Sequence, residues 1–181
     1  VLPSAPADSE QKFRNLNEQI ITNYGDLLSC LVWHYVRKIY PHNRIVRKEN
    51  HGLIVDCGAH YGVFSIQAAK LLKNNGSKGK VLAIEIDKDN FEVLKKNAGI
   101  NKLDNIIFLH IGVYDKKTEK SLFLGDSSQT STVIGNYIKK HSKKSNYEVG
   151  LDALDNILRK KGIKKIQTIK IDVEGVEREA I

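Results

Sequence analysis

Apolar residues recur at helical spacing from Glu10 to Tyr40: Phe13, Leu16 and Ile20, then Leu27, Leu28, Leu31, Val32, Tyr35, Val36 and Ile39. This pattern predicts two helices, broken near Asn23-Tyr24-Gly25 and ended before Pro41. They are expected to pack on a sheet edge rather than to form a lid. Beyond residue 50 short β-branched runs alternate with helical stretches. Leu53-Ile54-Val55, Lys80 to Asp87 around the run Val81 to Ile84, Asn105 to Val113 around Ile106 to Leu109, and Ile166 to Asp172 read as strands. The Val81 run has no polar member, as in strands buried on both faces of a parallel sheet. Val63 to Leu72, a stretch capped by Asp87 or Asp89, and Leu151 to Gly162 read as helices. The last of these takes Asp152 as its cap. Ser121 to Gly125 and Thr130 to Gly135 suggest a hairpin whose loop, Asp126 to Ser131, is a solvated tip. Ile138 to Tyr147 reads as a basic, mobile loop. The order predicts an α/β fold: residues 1–50 a tail and helical extension, residues 51–181 a parallel sheet with helices on both faces.

Between the first strand and its helix lies Asp56-Cys57-Gly58-Ala59-His60-Tyr61-Gly62. Strand, glycine turn and helix make the nucleotide-binding opening of an open α/β sheet. The spacing is G-x-x-x-G rather than the dinucleotide G-x-G-x-x-G. Asp56 would repel a pyrophosphate and suit a ligand with an ammonium group, as S-adenosylmethionine has. The motif alone is equally consistent with a tight turn and nothing more. Glu85 ends the second strand roughly twenty residues beyond Gly62, where an acid can accept from both ribose hydroxyls. His110 to Val113 lie at the edge of the third strand, where an adenine would sit.

Composition narrows the class. No apolar run is long enough to span a bilayer, and the first residues lack the pattern of a secretory signal. Cys30 and Cys57 show no metal spacing, the six histidines form no H-x-x-x-H pair, and no metal site is expected. These features predict reduced thiols and a cytoplasmic protein. The net charge is +8, with ten basic residues against three acids between Lys139 and Lys170. Basic patches bind phosphate backbones, yet only Tyr147 could stack a base there. Methionine is absent, and the segment from Asp172 to Ile181 enters a helix that stops after about one turn. Both features predict that the sequence is a piece, truncated after the fourth strand.

Residues 52–181 resemble the FkbM-type methyltransferases, a branch of the class I S-adenosylmethionine-dependent enzymes. The resemblance is carried by Ile54 to Gly62, Val81 to Glu85 with Asn97, Gly112-Val113-Tyr114-Asp115, Val149 to Asp152, and above all Ile169-Lys170-Ile171-Asp172-Val173-Glu174-Gly175-Val176-Glu177. It implies a Rossmann-like seven-stranded sheet with S-adenosylmethionine over its first three strands. It assigns Asp56, Gly58, Ala59, His60 and Gly62 to the methionine end of the cofactor, Glu85 to the ribose, and Ile86 and Gly112 to the adenine wall. His60 replaces the family's usual asparagine and Ile86 its usual proline.

Methyl transfer gains most from holding nucleophile and methyl in line, and a hydroxyl nucleophile gains from a base. Asp172 is the first candidate base and Glu174 the second; Asp172 could equally serve the following helix start, and for Glu174 and Glu177 that structural role is the favoured one. The expected reaction is O-methylation of a small molecule or sugar hydroxyl, as the resemblance implies. RNA, held by the 139–170 region, is the alternative acceptor. A cofactor-binding domain without catalysis is the third reading.

Overall fold

A computed structural model describes residues 11–15, 18–22, 52–124, 131–134, 143–178 and 180. In chain order these form strands β1 (Gln11–Asn15), β2 (Glu18–Thr22) and β3 (Leu53–Cys57), then helix α1 (Val63–Asn74), β4 (Lys80–Glu85), α2 (Lys88–Ile100) and β5 (Ile106–His110). There follow β6 (Gly112–Val113), β7 (Thr118–Leu124), β8 (Lys143–Asp152), α3 (Leu154–Lys160) and β9 (Ile166–Ile171).

The central sheet is parallel, in the order β5-β4-β3-β9. In sequence terms this is third, second, first, fourth, the doubly wound, Rossmann-like order, with its switch point between β3 and β9. Side chains alternate across it. Ile54, Val81 and Ala83 meet Phe64, Ile66 and Leu72 of α1 and Leu94 of α2 on one face. Val55, Cys57, Leu82 and Ile84 meet Ile157 and Leu158 of α3 on the other. Burial pushes the Cys57 thiol up to about 12, so it is a small core residue and not a reactive thiol.

Asp56 is the exception in this apolar layer. It is fully buried and lies directly opposite Lys170 in the β3–β9 register. Lys170 Nζ stands 3.0 Å from Asp56 Oδ1, and Ser65 Oγ donates to Asp56 Oδ2 at 2.6 Å. The same ammonium donates to the Gly58 carbonyl at 3.1 Å. A buried pair of this kind contributes little net stability, but breaking it strands a charge in the core.

The periphery departs from the sequence pattern in three places. Gln11–Asn15 and Glu18–Thr22 are two antiparallel strands, not a helix, with Phe13 opposite Ile20. The β-branched pair Ile20-Ile21 followed by Thr22 favours extended backbone. The remainder of the expected helical extension lies outside the described residues. The expected basic loop is the start of β8, whose later residues alternate: Val149 and Leu151 are buried and Tyr147 is half-buried. The lysines before Tyr147 mask that period. β8 pairs with β7, and among the described residues the expected hairpin shows one bridge, Phe123 to Thr132. Asp152 ends β8, so α3 is capped by Ala153 without a side-chain bond, and Asp152 holds Lys160 and Asn156 instead.

Lys170→Met is expected to cost about 3–5 kcal/mol, the penalty for leaving one partner of a buried pair uncompensated. Asp56→Asn combined with Lys170→Met should recover much of that loss. Urea denaturation of wild type, both single variants and the double variant measures the coupling; strictly additive losses would mean that the two side chains act independently.

Candidate functional site

The C-terminal ends of β3, β4 and β9 open onto a cleft of about 610 Å³, part of it solvent-exposed. One side is the glycine turn. Gly58 and Ala59 both donate to the Ile84 carbonyl at 3.0 Å, and Asp172 donates to the Cys57 carbonyl at 3.0 Å. The turn is thereby stitched to β4 and β9 at once. Gly58 has φ +77°, and a Cβ there would lie 1.9 Å from the Asp172 carbonyl oxygen. The glycine is required by the close approach of β9, before any ligand is considered. Gly62 has φ +85°, and its missing Cβ makes room for Leu94. Asn97 is fully buried and donates to the Tyr61 carbonyl at 2.8 Å, pinning the turn to α2.

Glu85 forms the floor. One carboxylate oxygen accepts from the His60 N–H at 2.6 Å and the other from the Asp87 N–H at 2.9 Å. Burial is the dominant influence on this group and pushes it up to about 7, against the pull of those two donors. His60, at φ 51°, presents that N–H from a left-handed conformation and stacks on Tyr61. Ile86, Ile111, Gly112 and Val113 make an apolar wall next to Glu85. Opposite, Asp172, Val173, Glu174 and Val176 line the β9 side. Asp172 Oδ2 lies 3.5 Å from Lys170 Nζ, and burial raises Glu174 above its ordinary value.

The short segment Ser131–Ile134 bridges these two sides. Ser131 Oγ donates to Asp87 Oδ2 at 3.3 Å, and Thr132 Oγ1 donates to the Glu174 carbonyl at 2.6 Å. Thr132 also exchanges both backbone hydrogen bonds with Phe123.

Of the expected site residues, Gly58, His60, Glu85, Ile86, Gly112, Asp172 and Glu174 line the cleft. Ala59 and Gly62 lie behind it as parts of the turn. Asp56 is beneath the turn, fully buried and engaged with Lys170 and Ser65, so its charge faces β9 rather than the cleft. The sequence pattern puts Thr132 and Val133 in the second strand of a hairpin with no part in the site, yet they line the cleft and are almost fully buried. The run Thr132-Val133-Ile134 is their only signal in the sequence. Among the described residues that line the cleft there is no lysine or arginine. No group of side chains suited to a metal ion occurs among the described residues.

Comparison with known proteins adds a family and several distant likenesses. Residues 56–181 match the Methyltransferase FkbM domain. Among curated proteins, a tRNA (guanine(37)-N(1))-methyltransferase of Heterostelium pallidum is 27% identical over 104 residues, 57% of this chain and 23% of that protein. Among solved structures, M. jannaschii TYW2 in complex with AdoMet is 23% identical, with TM-score 0.42, over 61% of this chain and 46% of that one. Trm5b from Pyrococcus abyssi is 20% identical, with TM-score 0.44, over 59% of this chain and 29% of that one. The chain thus spans about a quarter of the curated relative and less than half of either structure.

Gly58→Ala is expected to destabilise the protein by at least about 1–2 kcal/mol from the left-handed backbone alone, with the collision at the Asp172 carbonyl in addition. The loss should appear in thermal unfolding with no ligand present. An unchanged melting temperature would show that β9 does not approach the turn this closely.

Proposed function

The chain belongs to the Methyltransferase FkbM domain family, and from that premise we propose that its cleft binds S-adenosylmethionine and directs methyl transfer to a hydroxyl of a small molecule or sugar. The observation that carries the reading is the cleft's charge: among the described residues that line it, Glu85, Asp172 and Glu174 are the charged carboxylates and there is no lysine or arginine. Such a lining attracts a ligand bearing a sulfonium and an ammonium and repels a pyrophosphate. The repulsion expected of Asp56 belongs to these acids instead, because Lys170 neutralises Asp56.

The residues present fit this cofactor. Each Glu85 oxygen takes one backbone N–H and keeps further lone-pair capacity toward the cleft, enough to accept from a ribose diol. The wall of Ile86, Ile111 and Val113 suits a flat heteroaromatic ring. When bound, the cofactor supplies an electrophilic methyl. Asp172 stands at the end of β9 on the cleft lining, which supports reading it as the base that takes the proton of an incoming hydroxyl. Lys170 restrains one oxygen of that carboxylate. Most of the rate is assigned to positioning rather than to the base.

An RNA acceptor is the second reading. The tRNA methyltransferase relative and the net charge of +8 favour it. The acids of the lining weigh against phosphates at this mouth.

Titration with S-adenosylhomocysteine tests the cofactor assignment. Ribose hydroxyls donate to the charged carboxylate, so binding should deprotonate Glu85. With this group held up to about 7, affinity should rise as pH increases from about 6 to about 8 and then level off. Glu85→Ala should weaken binding by about 1.5–3 kcal/mol and remove that pH dependence. Affinity within twofold of wild type would rule out the ribose role, and tight NAD binding without a response to S-adenosylhomocysteine would rule out the cofactor.

Asp172→Asn separates catalysis from architecture. With an acceptor identified by a methyl-transfer screen, turnover should fall roughly a hundredfold, while S-adenosylhomocysteine affinity and melting temperature change little. A fully active Asp172→Asn enzyme would remove the base.

A further inference from the structure

The two edges of the parallel sheet carry opposite charge. At the C-terminal edge stand Glu85, Asp87, Asp172, Glu174 and Glu177, on or beside the cleft. At the N-terminal edge three stretches lead into the strands: residues 73–80, from the end of α1 to the first residue of β4, 101–105 before β5 and 161–165 before β9. They hold seven lysines against one acid, Asp104. Lys73, Lys80, Lys102, Lys161, Lys164 and Lys165 are all exposed. Lys73 contacts Asp104 at 3.4 Å, and a backbone hydrogen bond, with Lys73 and then Lys80 adding to it, holds that carboxyl below its ordinary value.

Parallel pairing aligns the strand starts: Leu53 is opposite both Lys80 and Ile166, and Val81 is opposite Ile106. Neighbouring strands are spaced by about 4.8 Å. The lysines therefore form a row about 14 Å long across four strands, from Lys164 and Lys165 through Lys80 to Lys102. A row of point charges fits a row of phosphates. A lipid surface would be met by apolar anchors beside the charges, and these connectors present no exposed large apolar side chain; Ile169, the one such residue described, lies within β9.

We propose that this N-terminal edge binds the phosphodiester backbone of a nucleic-acid strand, without base readout and apart from the cleft. Strands of five or six residues separate the two edges by about 17–20 Å. The strand held there is consequently a tether and not the methyl acceptor. The 139–170 charge seen in sequence divides accordingly: Lys170 is buried under the glycine turn, Lys160 pairs with Asp152, and Lys161, Lys164 and Lys165 face the far edge.

The test is fluorescence polarisation of the intact protein with a labelled single-stranded RNA of mixed sequence over a range of salt. The combined variant Lys161→Gln, Lys164→Gln, Lys165→Gln should bind at least about tenfold more weakly at low salt. Its log–log salt slope should shrink by about 2, at roughly 0.7 for each phosphate no longer neutralised. Its unfolding curve should match wild type. Saturating S-adenosylhomocysteine should leave RNA affinity unchanged, whatever the fate of the cofactor assignment. Wild-type affinity in the triple variant, displacement of RNA by S-adenosylhomocysteine, or binding to phosphatidylserine vesicles with none to RNA would each overturn the proposal.

Discussion

The buried ion pair between Lys170 and Asp56 is the constraint around which the rest is arranged. It joins the first and fourth strands of the parallel order at the switch point, where the sheet opens. One ammonium serves Asp56, the Gly58 carbonyl and the near oxygen of Asp172. Strand pairing, turn geometry and the cleft's β9 side are therefore coupled through a single side chain. In a region of low dielectric such a group cannot lose one partner without cost. The turn in consequence needs no ligand to hold its shape. Its backbone bonds to Ile84, Cys57 and Ala59 complete the scaffold.

The same pair redistributes charge. With Asp56 neutralised below the turn, the negative field of the cleft comes from Glu85 on the floor and from Asp172 and Glu174 on the β9 side. Glu85 is the more demanding of these, because burial opposes its charge while two backbone N–H groups support it. A ligand that donates to it tips that balance. A cationic nucleoside with a free ribose diol has the chemistry to do so, whereas a pyrophosphate has the opposite sign.

Much of this is legible in the sequence, and the reasons are physical. The runs of β3 and β4 are buried almost throughout because both faces of the sheet are covered, and their apolar residues can be read directly. Gly58 and Glu85 can be placed because their backbone conformation and strand-end position follow from local spacing. Asp56 cannot, since its partner is 114 residues away and is brought opposite only by the register of β9. Reading Asp56 as a ligand contact treats a buried, paired carboxylate as a free one. Thr132 and Val133 escape sequence reasoning for a related reason: their burial depends on Glu174 and Phe123, which no local pattern connects to them. The helical spacing of Phe13, Leu16 and Ile20 misleads because a period near three and a half cannot be distinguished from strand over so few residues.

The central claim is that the cleft above the Lys170–Asp56 pair is built around Glu85 to hold a cationic nucleoside. A crystal structure of the intact protein with S-adenosylhomocysteine measures this most directly. The account predicts both ribose hydroxyls on the Glu85 carboxylate, the adenine against Ile86 and Ile111, and Lys170 still on Asp56. A ligand bound away from Glu85, or an amino group seated on Asp56 with Lys170 displaced, would contradict it.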